Sequence, residues 1–235
     1  TAIMPTSTSV GADKIIGSGF TPGDNQAKAV GEYLQGKKIY GLQKSVSEYT
    51  YVRGMEILGL DSRIATFVNL DPAGAATALQ TGSNDVKAIC VWNPFALQTL
   101  RTQKSANVVF DSSLLPEEII DMVVVSNKSL QRERGEDFAA CVCDVFYEVN
   151  KRLNDPKSAD VAYKALGEDF SNLSVEDMKL CCKETRFYAT PESGVKLFSD
   201  PKFQTTMGTV VRTCQKIGVL EQKVPTLGYG ESSSQ

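Results

Sequence analysis

The chain has 235 residues, a formal net charge of −3, 42% hydrophobic residues and 23% charged residues. This is enough chain to bury a real core as one large domain or two smaller ones, and the balance is that of an ordinary globular protein. A net negative chain without a basic stripe argues against a nucleic-acid binder, and no apolar run reaches the length needed to span a bilayer.

Histidine is absent, which excludes Ser-His-Asp and Cys-His catalysis and any His-ligated zinc or iron. No catalytic set, metal site or cofactor is therefore expected. No charged-then-apolar leader follows Thr1, so the sequence reads as a mature or trimmed product. Residues 1–24 are small, polar and Gly-rich, with one short strand expected at Ala12–Ile16 and a hydroxyl cluster, Thr6 to Ser9, before it. Residues 25–36 read as a weak helix stopped at Gly36.

The run from Lys37 to Leu60 reads as a strand (Lys38–Gly41), a polar turn (Gln43–Ser47) and a helix ending at Gly59. Strand–helix alternation continues. Ile64–Leu70 is a strand, and Asp71-Pro72 supplies a cap and a first-turn proline for a helix over Ala73–Thr81. Val86–Val91 is nearly all apolar, as a central strand covered on both faces should be. Asn93-Pro94 repeats the cap-plus-proline pattern before a helix over Phe95–Gln103. Asn107–Phe110 and Ile119–Val125 are further strands. This predicts an α/β fold with a parallel or mixed sheet flanked by helices.

From about residue 128 helices dominate. Phe138, Cys141, Val142, Val145, Phe146, Val149 and Leu153 recur at helical spacing, and the stripe reads as core. Asp155-Pro156 is expected to cap a helix stopping at Gly167, and Ser174 with Asp177 to open another. Phe203, Met207, Val210, Val211, Cys214 and Ile217 form a last stripe, and the tail GYGESSSQ is expected to lack structure. The cysteines at 90, 141, 143, 181, 182 and 214 lack CxxC spacing, which disfavours a zinc or thioredoxin-like site. They read as buried small hydrophobes, or in an exported protein as a disulfide between the two helices.

In an open α/β sheet, ligands sit at the carboxyl ends of the strands. Three such ends carry Ser45-Val46-Ser47-Glu48-Tyr49, Asp71-Pro72 and Trp92-Asn93-Pro94-Phe95. A helix start offers unpaired N–H groups and partial positive charge, suited to an anion or another oxygen-rich group. Trp92, the only tryptophan, stands where a strand meets a helix and is placed to wall a pocket. No Walker loop or GxGxxG supports nucleotide binding.

The run GKKIYGLQKSVSEYTYVRGMEILGL through NLDPAGAATAL, then VWNPF and FDSSLLPEEIIDMVVV, resembles solute-binding proteins of ABC importers, in the nitrate/sulfonate/taurine branch. The matching residues are Gly36-Lys37-Lys38-Ile39, Ser45, Tyr49, Gly59-Leu60, Asn69-Leu70-Asp71-Pro72, Ala75-Ala76, Leu79 and Trp92-Asn93-Pro94-Phe95. Glu184-Thr185-Arg186-Phe187 with Pro191-Glu192 extends the likeness. Asn93, where the family often has Asp, and a longer turn at 83–87 depart from it.

The resemblance implies a two-lobed, type II periplasmic-binding-protein-like fold closing on a solute. Residues 36–126 would form lobe II, with 1–35 and 127–235 a partial lobe I. The family's opening segment has no counterpart before Thr1, so that part is expected to be trimmed, unrecorded or on another chain. Carried over by position, ligand contacts are expected from Thr8, Ser9, Ser45, Ser47, Tyr49, Trp92, Asn93 and Glu118. The implied partners are a small-molecule solute and ABC permease membrane subunits, with no nucleic acid, and the location is periplasmic, or extracellular and membrane-anchored. The alternatives are a pyrimidine-synthesis enzyme on the same fold, whose fungal form uses a histidine that this chain lacks, and a ligand-sensing regulatory domain.

Overall fold

The computed structural model describes residues 1–83, 85–221 and 228–230. The expectation for the tail therefore lies outside the described residues from 231 onward, as does Asn84 within the longer turn. In chain order the elements are β1 (Ala2–Ser9), β2 (Asp13–Ser18), α1 (Gln26–Leu34), β3 (Lys38–Gly41), α2 (Val46–Ile57), β4 (Thr66–Asn69), α3 (Pro72–Gln80), β5 (Ala88–Trp92), α4 (Phe95–Thr102), β6 (Ala106–Asp111) and β7 (Ile120–Val124). Then follow α5 (Asn127–Leu130), α6 (Gly135–Asn154), α7 (Ala159–Phe170), α8 (Val175–Lys183), β8 (Thr185–Phe187), α9 (Pro191–Ser199) and α10 (Pro201–Lys216).

These elements form two compact units. One holds Thr1–Thr8, Ile120–Thr209 and residues 228–230; the other holds Ser9–Ile119 and residues 210–221. The division differs from the expected lobes. Residues 9–35 fold with the second unit, because β2 pairs with both β5 and β6 inside its sheet. β7 in turn belongs to the first unit, where it pairs antiparallel with β1 through Thr8↔Ile120 and Ser7↔Asp121.

The first unit contains a three-stranded sheet in the order β7-β1-β8. Its core gathers Tyr188, Leu197 and Phe203, with Ile120, Met122, Phe198, Met207 and Tyr229 packed around them. α9 begins with a capping box: Thr190 accepts from the Ser193 N–H, and Ser193 Oγ is in turn bonded by the Thr190 N–H. The helical stripe on α6 is not core as expected. Phe138 is 66% exposed and Val145 63%, and Phe146 and Val149 are also exposed. Ala139 and Asn150 point inward instead, on a different helical face. α7 runs through Gly167 to Phe170, and Asp155 closes α6 rather than opening α7.

The second unit is built on a five-stranded mixed sheet, β4-β3-β5-β2-β6. β3 runs parallel to β4 and β5, while β2 is antiparallel to β5 and β6. β5 is central and buried at Ala88–Val91, as its continuous apolar run predicts. On one face Ile15, Ile39, Ala88, Cys90 and Phe110 meet Val30 and Leu34 of α1 and Tyr51, Val52 and Met55 of α2. On the other, Ile16, Ile89 and Val91 meet Ala75 and Leu79 of α3 and Ala96 of α4. Local sequence fixes the helix starts: Asp71 Oδ1 accepts from the Gly74 N–H at 2.8 Å, with Pro72 in the first turn of α3. That helix ends before Gly82, whose φ of +71° suits glycine.

Candidate functional site

The register of the second unit brings several loops to one end of its sheet. Gly41 of β3 lies beside Cys90 of β5 and Asn69 of β4, Trp92 of β5 lies beside Asp13 of β2, and Lys14 lies beside Asp111 of β6. The carboxyl ends of β3, β4, β5 and β6 therefore share one edge with the start of β2. This is the edge where an α/β sheet places its ligands.

α2 begins at this edge. Ser45 caps it, accepting the Ser47 N–H at 3.1 Å while its own hydroxyl donates to the Leu42 carbonyl at 2.6 Å. The Glu48 carboxylate turns back to accept from the Lys44 N–H at 2.7 Å. Ser45 is thus engaged in holding the helix start. Ser47 differs: it is 1% exposed, and its Oγ has no hydrogen-bond partner. Its carbonyl accepts from Cys90 Sγ at 3.2 Å, which ties the first turn of α2 to the end of β5. A buried hydroxyl without a partner is uncommon, and beside a helix N-terminus it is a donor awaiting an acceptor.

Trp92 is half-buried and packs edge-on against Phe95, with ring centroids 6.3 Å apart. Asn93 does not cap α4. Pro94 is the N-cap, without a side-chain cap bond, and follows a cis peptide; the Asn93 N–H bonds the Ala12 carbonyl instead. Ser9 Oγ lies 2.7 Å from Ser112 Oγ, which also accepts the Gly11 N–H at 2.8 Å, so these hydroxyls pin the loop between β1 and β2 to the end of β6. Thr8 is buried in the first unit, opposite Ile120 in the β1–β7 pair.

Tyr49 and Glu118 are brought together: the Tyr49 hydroxyl donates to Glu118 Oε2 at 2.6 Å. Burial, then the bond to Glu118 and its negative charge, push the Tyr49 hydroxyl well above the usual tyrosine range. Arg53, one helical turn on, completes the group with two bonds to the same carboxylate, and its Nη1 pairs with Glu56 at 3.0 Å. Burial and the charge of Asp13 push the Cys90 thiol up, so it stays protonated. Of the other cysteines, Cys141 is exposed, and Cys143, Cys181, Cys182 and Cys214 are half-buried; all six are free thiols, and only Cys90 fits the buried-hydrophobe reading.

The structure thus gathers Ser9, Ser45, Ser47, Tyr49, Trp92, Asn93 and Glu118 in the second unit, with Ser9, Ser45, Tyr49 and Glu118 engaged in internal bonds. Sequence reasoning missed Arg53, which completes the Tyr49–Glu118 group. Arg53 was legible as the i+4 partner of Tyr49. Two open clefts lie apart from this face. One of about 740 Å³ runs along α6 and the start of α9, lined by Asp144, Glu148, Lys151 and Glu192. The other, about 670 Å³, lies around Phe20, Tyr33 and Lys37 at the opposite end of the sheet. Among the described residues no group of metal-binding side chains is present and no helix is long and apolar enough to cross a membrane.

Known structures share this architecture. The periplasmic aliphatic sulphonate-binding protein SsuA from Escherichia coli matches with a TM-score of 0.71 at 16% identity, covering 94% of this chain and 70% of that one. The alkanesulfonate-binding protein SsuA from Xanthomonas axonopodis pv. citri, bound to MOPS, matches with a TM-score of 0.64 at 18% identity, covering 90% and 68%. The periplasmic nitrate-binding protein NrtA from Synechocystis PCC 6803 gives a TM-score of 0.52 at 12% identity, over 74% of this chain and 47% of that one. No protein-family model matches the chain, and no curated protein sequence matches it. The fold is the one seen in these structures, an α/β fold with mixed sheets flanked by helices, as the sequence resemblance implied.

Proposed function

We propose that the chain is the solute-binding component of an ABC importer, capturing a small oxygen-rich solute of the sulfonate or nitrate type at the strand ends of its second unit. One observation carries the reading: the buried, unpartnered hydroxyl of Ser47 in the first turn of α2. There the Ser47 Oγ–H and the free N–H groups of the helix start would meet the solute's oxygens, while Trp92 walls its apolar part. The sulfonate- and nitrate-binding names among the structural neighbours support this assignment. Such a component acts outside the cytoplasmic membrane and hands its solute to permease subunits without chemistry. Of the expected contacts, Ser47 and Trp92 would touch the solute, Asn93 would shape the wall beside them, and Ser9, Ser45, Tyr49 and Glu118 would hold the surrounding loops.

Isothermal calorimetry with ethanesulfonate, 2-aminoethanesulfonate and nitrate tests the reading. Saturable binding of at least one, weakened about tenfold or more in Ser47→Ala, is expected; a lost charge-assisted hydrogen bond is of that order. Binding unaffected by both Ser47→Ala and Trp92→Ala would remove the site from this face.

A further inference from the structure

We infer that the exposed apolar seam of α6 is a self-association surface, on which a second copy of the chain packs its own α6 antiparallel. The inference concerns the first unit alone and does not depend on the solute-binding reading.

α6 runs from Gly135 to Asn154, about 30 Å of helix. Along it Phe138, Val142, Val145 and Val149 follow at spacings of four, three and four, the a/d rhythm of a helix that packs along another helix. At 3.6 residues per turn the four lie within about 60° of one another and span about 16 Å. Phe138, Val145 and Val149 are exposed and Val142 is half-buried, while Ala139 and Asn150 fill the inward face. The exposed ring of Phe146 borders the seam. A contiguous apolar strip in this register is surface that a partner helix fits.

The charges beside the seam specify the partner and its direction. Asp137 lies near the N-terminal end and Arg152 near the C-terminal end, on the same flank, and their midpoint lies one residue from that of Phe138 and Val149. A second α6 laid antiparallel about that point sets Phe138 of each copy against Val149 of the other, and Val142 against Val145. It also sets Asp137 of each copy against Arg152 of the other. Seam and flank are thus self-complementary about a two-fold axis, whereas a parallel pair would oppose like charges at both ends. Within one chain these groups make only exposed pairs, Arg134 with Asp137 at 3.4 Å and Arg152 with Glu148 at 3.1 Å. Such pairs are weak and exchange partners at little cost. An anionic membrane surface fits less well, because Asp137 and Glu148 line the same flank. Five apolar side chains on each copy make a small interface, below roughly 1,200 Å² in total, so the dimer is weak and forms with rising concentration.

Sedimentation equilibrium of the full chain at low ionic strength, over roughly 1–500 μM, should show monomer passing to dimer. Phe138→Ser and Val145→Ser should each weaken the dimer about tenfold or more, since each change acts twice through the symmetry. In dilute solution, where the chain is monomeric, both variants should unfold as the unaltered chain does, which separates lost association from lost fold. Asp137→Arg alone and Arg152→Asp alone should also weaken the dimer, and the two combined should restore it, because the swap recreates the opposite-sign contacts. A chain that stays monomeric throughout would overturn the inference and leave the seam to a partner of another kind. A dimer indifferent to both serine variants would place association on another surface and overturn it as well. A combined charge variant no tighter than the single ones would overturn the antiparallel pairing.

Discussion

Arg53 and Glu118 face each other through two parallel hydrogen bonds, Nε to Oε2 and Nη2 to Oε1, both 2.9 Å long. Their side chains are 15% and 9% exposed, and Tyr49 adds a third bond to the same carboxylate. Bidentate geometry with satisfied lone pairs is the condition under which a desolvated pair holds. Arg53→Met would strand the carboxylate and is expected to cost about 3–5 kcal/mol in urea unfolding. Glu118→Gln combined with Arg53→Met removes both charges and should cost clearly less than the single change. Tyr49→Phe should cost about 1–2 kcal/mol, since Arg53 still satisfies Glu118.

Alkaline pH should destabilise the second unit. Burial pushes Tyr33 and Tyr51 up to about 12, and Tyr49 lies higher still. Their hydroxyls donate to carbonyls at Ser18, Lys87 and Ser62 and to Glu118. Below pH 10 each hydroxyl is protonated in both folded and unfolded chains, so stability there does not depend on them. Between pH 10 and about 12 the unfolded chain releases protons that the folded chain keeps, so stability falls as pH rises. Chemical denaturation from pH 8 to 11.5 should show this decline, and Tyr51→Phe should make it shallower. A flat profile would contradict the burial of these hydroxyls.

The second unit was largely legible in the sequence because its signals are local. Asp71-Pro72 caps α3 as written, and the apolar run at Val86–Val91 contains the buried centre of the sheet, whereas α2 begins at Val46, inside the run Gln43–Ser47 that reads as a turn. Other features depend on partners that local pattern does not reveal. β1 is rich in Thr and Ser and reads as a solvated turn or a ligand-facing loop, yet Met4, Ser7 and Thr8 are buried by strand pairing across more than a hundred residues. The α6 stripe has the period of a core helix, but periodicity says only that residues share a face, not that anything covers it. Asn93 carries the composition of a cap while Pro94 occupies the cap position. The burial of Asp13 becomes visible only once β2 is laid against β5. Phe138→Ser on the exposed stripe should therefore change stability by no more than about 0.5 kcal/mol.

Ser45 and Ser47 stand two residues apart and should separate stability from binding. Ser45→Ala removes the acceptor of the Ser47 N–H and should lower stability by about 1 kcal/mol. Ser47→Ala removes a buried hydroxyl that has no partner, so it should be neutral or slightly stabilising in the unbound protein. Solute affinity should fall mainly in Ser47→Ala. Denaturation of both variants, with calorimetry beside it, checks the split. A large stability loss in Ser47→Ala would show that its hydroxyl serves the fold.

Gly54 of α2 packs closely against Phe110 of β6. A methyl group there would sit 2.2 Å from Phe110 Cε2 and 2.8 Å from Cδ2, and Phe110 is buried in the core of the same unit. In an exposed helix, Gly→Ala gains up to about 1 kcal/mol from propensity. Here the ring has no open space to enter, because Ile15 and Met55, packed in the same core, are fully buried. Overpacking of this kind costs about 1–3 kcal/mol, so Gly54→Ala should lower stability despite its better helix propensity. The same shift would lift the first turn of α2 away from Cys90 and carry Ser47 with it, so solute affinity should fall alongside stability. Restoring space with Gly54→Ala/Phe110→Leu should recover part of both, measured by urea unfolding and calorimetry on the same samples. Recovery of neither would mean that Gly54 acts through the backbone of α2 rather than through the room it leaves for Phe110.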